Sequence, residues 1–159
     1  PIAKSSVLAG HALEALLRTC LTAILIMGIA FLVGFRPSGG PAAWLLVIGL
    51  LLLFCLTITW IAIAYGLLVK GAEGASSFTM FITLFCYLSS GFIPTNTLPT
   101  VLRVFAEHQP MSSIINSIRA LLLGYDLGHN LILAVGWCLL FLVCGYLAAM
   151  KLYKRKTSK

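Results

Sequence analysis

The side chains that could do chemistry in this chain are few, and their spacing does not suit catalysis. His11 and Glu14 stand three residues apart, as an exposed pair on a helix would, without the second histidine of an H-E-x-x-H zinc site. His108 and His129 fall in polar turns. The five cysteines, Cys20, Cys55, Cys86, Cys138 and Cys144, sit singly in apolar runs with no C-x-x-C spacing, which reads as small buried hydrophobes. Ser89 or Ser90 with His129 could be imagined as a nucleophile and its base, but nothing in the spacing brings them within hydrogen-bond reach. No G-x-x-x-x-G-K-S/T loop occurs, so nucleotide phosphates have no cradle and ATP chemistry must belong to a partner. No catalytic residue, metal or cofactor is expected.

Two stretches instead have the spacing of surfaces. Lys4, His11, Glu14 and Arg18 fall on one helical stripe within residues 2–18, with Leu13, Leu16 and Leu17 elsewhere, so this helix is expected to lie along a membrane interface. Glu14 stands four residues before Arg18, the favourable orientation for an ion pair. The stripe is either a docking surface or a solvated face. The second stretch runs from Ser89 to Gly124. Leu98, Val101, Leu102 and Phe105 share one helix face, Pro99 suits a first turn, and Pro110 ends the piece by pushing Gln109 out of helical backbone. A second short helix follows, with Met111, Ile114, Ile115, Ile118, Leu121 and Leu122 as its apolar stripe, Ser112, Asn116 and Arg119 off it, and Gly124 closing it. Both pieces are well short of the roughly 20 apolar residues of a spanning helix, and both carry charge. A hairpin on or dipping into one membrane face fits them.

The elements that must position these stretches are membrane spans. With 60% hydrophobic and only 9% charged residues, the chain has too little polar surface to coat a water-soluble globule. The net charge of +7 does not mark a nucleic-acid partner, because Lys151, Lys154, Arg155, Lys156 and Lys159 gather at the end, as in a membrane-surface anchor. The expected fold is all-α and polytopic: an interfacial helix (1–18), four transmembrane helices (19–35, 43–69, 77–92 and 131–150), and an outer re-entrant hairpin (93–124), all in one domain. Residues 36–41 make the first turn. Lys4, Arg18, Lys70 and the five tail cations fall on one side and only Arg36, Arg103 and Arg119 on the other, so both termini are expected in the cytoplasm and the hairpin outside. Small residues four apart, Ala30 with Gly34, Ala62 with Gly66 and Gly145 with Ala149, would permit close helix contact. The chain starts at Pro1 with no charged leader, and is expected to continue a longer protein.

S-G-F-I-P at Ser90 to Pro94, Leu98-Pro99, Phe105, Pro110, Arg119-Ala120 and Gly124 resemble the signature region of type-2 ABC exporter permeases, the daunorubicin-resistance kind especially. Pro1-Ile2, Val7-Leu8-Ala9-Gly10 and Gly34-Phe35-Arg36 are similar to the segment leading into that family's third span, so the resemblance covers nearly the whole chain. It implies a six-span half-transporter, here lacking its first two spans, that pairs with a second permease copy, identical or related. Two copies of a separate ATP-binding cassette ATPase subunit would drive it. The resemblance further implies that the helix bearing Lys4, His11, Glu14 and Arg18 couples to that ATPase. Pro94, Pro99, Phe105, Pro110, Met111, Ile114, Ile118 and Arg119 would belong to the outer gate. The expected function is export of a drug-like or amphipathic substrate across the plasma membrane of a bacterium. A permease for a lipid-linked glycan or lipo-oligosaccharide shares the fold and stays open, as does a membrane assembly protein that transports nothing.

Overall fold

In a computed structural model, residues 4–69, 72–87, 89, 99, 103–104 and 108–157 are described. They form five α-helices: α1 (Lys4–Leu32), α2 (Pro41–Leu68), α3 (Ala72–Tyr87), α4 (Pro110–Leu123) and α5 (Asn130–Thr157). Among the described residues there is no strand.

Helix ends follow local chemistry closely. At the end of α1, Gly34 takes φ 98°, the Gly34 N–H donates to the Phe31 carbonyl at 3.1 Å, and the Phe35 N–H reaches back to Ala30 at 2.9 Å. This is a Schellman closure, in which glycine accepts the left-handed backbone that other residues resist. Gly40 then caps α2 in extended backbone and Pro41 opens it, where the missing N–H leaves no bond unmade. Pro110 opens α4 in the same way, and Gly124 at φ 73° closes it. Both boundaries are those expected from the sequence. In the next turn Asp126 Oδ1 accepts from the Gly128 N–H at 3.2 Å, where Gly128 also has positive φ.

Three stretches among the described residues are long and apolar enough to cross a bilayer: Gly10–Leu32, Pro41–Leu68 and Asn130–Tyr153. Helix α1 runs unbroken through the boundary expected at Arg18, since no Pro or Gly lies between Ala12 and Met27 to interrupt it. Its polar stripe and its apolar length are therefore one rod. Helix α3 has 16 residues, short of a full crossing; the rest of the stretch expected to span at 77–92 falls largely outside the described residues. So do Pro94, Phe105 and most of the first piece of the hairpin, although the Arg103 N–H donates to the Pro99 carbonyl at 2.9 Å, one helical turn.

Helix α2 is the hub, lying against each of the other four helices. Its tightest partner is α5. A Cβ on Gly145 would meet the Ile61 backbone nitrogen at 3.1 Å and the Trp60 carbonyl carbon at 3.3 Å, so the two backbones approach as only glycine allows. Thr57 Oγ1 donates to its own turn at Leu53 (2.8 Å) and across the seam to the Cys138 carbonyl (3.1 Å), and Trp60 meets Tyr146 edge-on with centroids 4.9 Å apart. Of the small-residue pairs expected to mediate contact, Gly145 with Ala149 does so, and Ala149 is fully buried. Around Gly34 and Gly66 no atom of the described residues would come within 4 Å of an added Cβ. Helix α1 is held more loosely, by Cys55 Sγ donating to Thr19 Oγ1 at 3.1 Å and by Phe31 stacking on Trp44 with centroids 6.2 Å apart. Only Ala12 of its described side chains is buried, and Leu32 is 88% exposed. All five cysteines are free.

Candidate functional site

Helix α4 lies along the first halves of α2 and α5. Ile114 is buried in a cluster with Leu50, Ala134 and Cys138, while Leu121 and Leu122 pack with Val47, Ala43 and Trp44 nearer the start of α2. Ile118 touches both clusters. The C-terminal end of α4 meets the turn between α1 and α2: the N–H groups of Ser38 and Gly39 both donate to the Leu122 carbonyl, at 3.0 and 3.3 Å. A Cβ on Gly39 would overlap the Leu121 carbonyl oxygen, and one on Gly124 would sit 3.0 Å from Ser38 Oγ. Hydrogen bonds and glycine contacts thus tie these two segments at one end of the bundle.

The buried face of α4 differs from its apolar stripe. Ser112, Ser113 and Ser117 are completely buried, with Ala120, Leu121 and Ile114, whereas Met111, Ile115 and Ile118 are only half covered. The sequence reading had Ser112 off the packing stripe, and the structure corrects this by burying it. The reason is size. Close helix packing in an apolar setting selects small side chains, and serine can bury its hydroxyl cheaply by bonding back along its own helix. Ser113 Oγ donates to the Gln109 carbonyl at 3.3 Å and Ser117 Oγ to the Ser113 carbonyl at 2.7 Å.

Beyond the N-terminal end of α4 lies a cavity of about 430 Å³ between α2, α3 and α5. Six aromatic rings line it: Phe54 and Tyr65 from α2, Phe78 and Phe81 from α3, and Trp137 and Phe141 from α5. Tyr65 stacks on Phe78 at 5.1 Å between centroids and Trp137 on Phe141 at 5.5 Å. Pro110, Met111 and Ile114 form the end wall. Among the described residues no charged side chain lines the space, and the hydroxyl of Thr57 is already engaged with two carbonyls. Such a wall attracts by area and by ring faces, and is suited to an apolar body. The described residues include no group of His, Cys, Asp or Glu that could hold a metal ion.

Comparison with known proteins settles the family. The model of the ABC-2 type transporter family matches residues 1–123, from the start of the chain through the last residue of α4. The chain belongs to the ABC-2 type transporter family. Among its relatives in that group, a daunorubicin resistance ABC transporter permease protein of Streptomyces coeruleorubidus is 26% identical across 99% of this chain and 56% of its own length. A probable doxorubicin resistance ABC transporter permease protein of Mycobacterium tuberculosis is 25% identical across 78% of this chain and 45% of its own length. The chain spans about half the length of these curated relatives. No solved structure matches it. Family and apolar helices together make it a multi-pass protein of the bacterial plasma membrane.

Of the residues this ABC-2 chain was expected to use at an outer gate, Pro110, Met111 and Ile114 come together at the cavity wall. Ile118 packs away from it, and Arg119 and Pro99 are exposed. Ile114 is buried within its own chain, so it faces α2 and α5 and not a second copy. At the other expected site, Glu14 accepts from Arg18 Nη2 at 3.1 Å and lies 3.8 Å from His11 Nδ1, all three being well exposed on α1. Lys4 is in the same helix, and its side chain lies outside the description. The sequence reading missed the α2, α3 and α5 wall residues. Their only signal was a high density of aromatic residues in apolar runs, which any membrane helix shares.

Proposed function

We propose that this chain forms part of the membrane-spanning permease subunit of an ATP-driven ABC exporter that moves a drug-like or amphipathic substrate out of the cell. The observation that carries the reading is the aromatic cavity closed at one end by Pro110, Met111 and Ile114. The apolar body of a substrate rests among the rings, and α4 stands between it and the outer surface. With Pro41 at that surface, Leu50 is roughly 14 Å along α2 at 1.5 Å per residue, so α4 beside it is a re-entrant element. Its closed position excludes water through apolar contact, a hydrophobic constriction. A glycan would need many polar partners, and the described lining is mostly apolar, which favours the amphipathic substrate over a lipid-linked sugar.

Energy comes from a separate ATP-binding cassette ATPase on the cytoplasmic side, docked on the surface of α1 that carries Lys4, His11, Glu14 and Arg18. A second permease copy completes the path across the bilayer. The test is efflux of a fluorescent planar amphiphile from vesicles holding the full-length permease with its ATPase. Efflux is expected to need ATP hydrolysis and to fall in Trp137→Ala and Phe141→Ala while membrane abundance holds. Vesicles that show no nucleotide-dependent efflux overturn the reading. Reversing the charges of Glu14 and Arg18 is expected to reduce co-purification of the ATPase; unchanged coupling would leave that face merely solvated.

A further inference from the structure

The cations near the end of the chain are carried by α5 itself. The helix continues without a break from its apolar span through Lys151, Lys154 and Arg155 to Thr157. Its seam with α2 fixes its depth: Gly145 meets the Ile61 backbone, and Ala149, less than one turn before Lys151, is fully buried. Lys151, Lys154 and Arg155 stand at i, i+3 and i+4 and so share one face by register. The same step runs backward through Leu147, Val143 and Leu140, each more than half exposed and none on the cavity wall. One strip of α5, on the side away from Gly145 and Ala149, therefore turns from apolar to basic at Lys151, which is exposed.

Leu140 precedes Lys151 by roughly 16 Å at about 1.5 Å per residue, close to the depth of one leaflet's hydrocarbon, half of a core roughly 30 Å thick. No Asp or Glu follows Asp126 in the sequence, so α5 carries no carboxylate to neutralise its cations. We propose that this strip binds an anionic phospholipid of the leaflet around the C-terminal end of α5. Its acyl chain lies along Leu140, Val143 and Leu147, and its phosphate headgroup lies at the level of Lys151, Lys154 and Arg155. Cations clustered directly beyond a span attract anionic headgroups, and the long stems of Lys and Arg stay in apolar surroundings while the charge reaches the phosphate. The site goes beyond the transport reading and does not depend on what the cavity takes.

The test uses the full-length permease with its ATPase, freed of native cysteines and reconstituted in phosphatidylcholine vesicles. A bimane fluorophore on Leu147→Cys reports the strip, and one on Leu25→Cys, on the exposed face of α1, serves as reference. Quenching is read with phosphatidylglycerol or phosphatidylcholine carrying a spin label on the acyl chain. At Leu147 the anionic lipid is expected to quench at a mole fraction about tenfold lower than the zwitterionic one, and at Leu25 the two are expected to agree within about twofold. Lys151→Gln is expected to cut the preference at Leu147 to about threefold, and the triple change with Lys154→Gln and Arg155→Gln to abolish it, while Lys151→Arg keeps it. Lys156→Gln removes a charge from the same turn but off the strip, and is expected to leave the preference in place. Equal preference at Leu147 and Leu25, or an equal loss in Lys156→Gln and Lys151→Gln, would mean diffuse attraction of the whole surface and overturns the site. Preference seen in the permease alone but lost in the complex gives the strip to the ATPase. Sodium phosphate that erases the preference where chloride of equal ionic strength does not marks a site for free phosphate, and either result overturns the lipid.

Discussion

The two sides of α2 are built differently. Toward α5 the helix backbones meet at Gly145, a threonine hydroxyl bridges the seam, and Trp60 and Tyr146 close its edge. Toward α3 the same helix stands off across a cavity, with Tyr65 on Phe78 as one point of contact. Both sides are apolar, and in a membrane apolarity by itself drives no helix association, because lipid tails are as apolar as leucine. What separates them is side-chain size. Small residues let α5 reach the α2 backbone, while large rings on α3 and α5 hold the other side apart. The α2–α5 seam is thus closely packed, while the α3 side leaves open apolar space.

The substitution that should break this contrast most is Gly145→Leu, which drives a side chain into the Ile61 backbone. Overpacking of this kind is expected to cost about 3 kcal/mol, read as a lowered unfolding midpoint of the full-length permease in mixed micelles. A loss under about 1 kcal/mol would mean that the seam is not tight. Next comes Ala148→Phe, on the cavity wall. Filling the space is expected to lower efflux about tenfold, equivalent to about 1.4 kcal/mol, with no loss of stability. If stability falls and efflux does not, the open side is packing and not a binding site. Thr57→Val removes the hydroxyl bridge and nearly keeps its shape. It is expected to cost about 0.6–1 kcal/mol, as interhelical hydrogen bonds in membranes do, and efflux from a stable fraction should be unchanged. The smallest effect belongs to Gly66→Leu, the same change as at Gly145 but where none of the described residues stands within 4 Å. Stability there is expected to stay within about 0.5 kcal/mol, and a larger loss would point to a close neighbour of Gly66.

Some of this molecule could be read from the chain alone, because the rules involved act within a few residues. Composition placed it in a membrane, the run of apolar residues marked the spans of α2 and α5, Pro110 and Gly124 bounded α4, and the four-residue step from Glu14 to Arg18 made their ion pair. Each depends on helix geometry, backbone limits of Pro and Gly, or a bond to the next turn. Tertiary structure alone decided which face of α4 is buried, that Gly145 and not Gly66 meets a neighbouring backbone, that Ser38 and Gly39 hold the end of α4, and that six rings from three helices surround one cavity. Those outcomes depend on which surfaces meet. In an apolar solvent the hydrophobic pattern no longer points to the inside, so size and fit between distant helices make the choice, and neither is written in the period of any one of them.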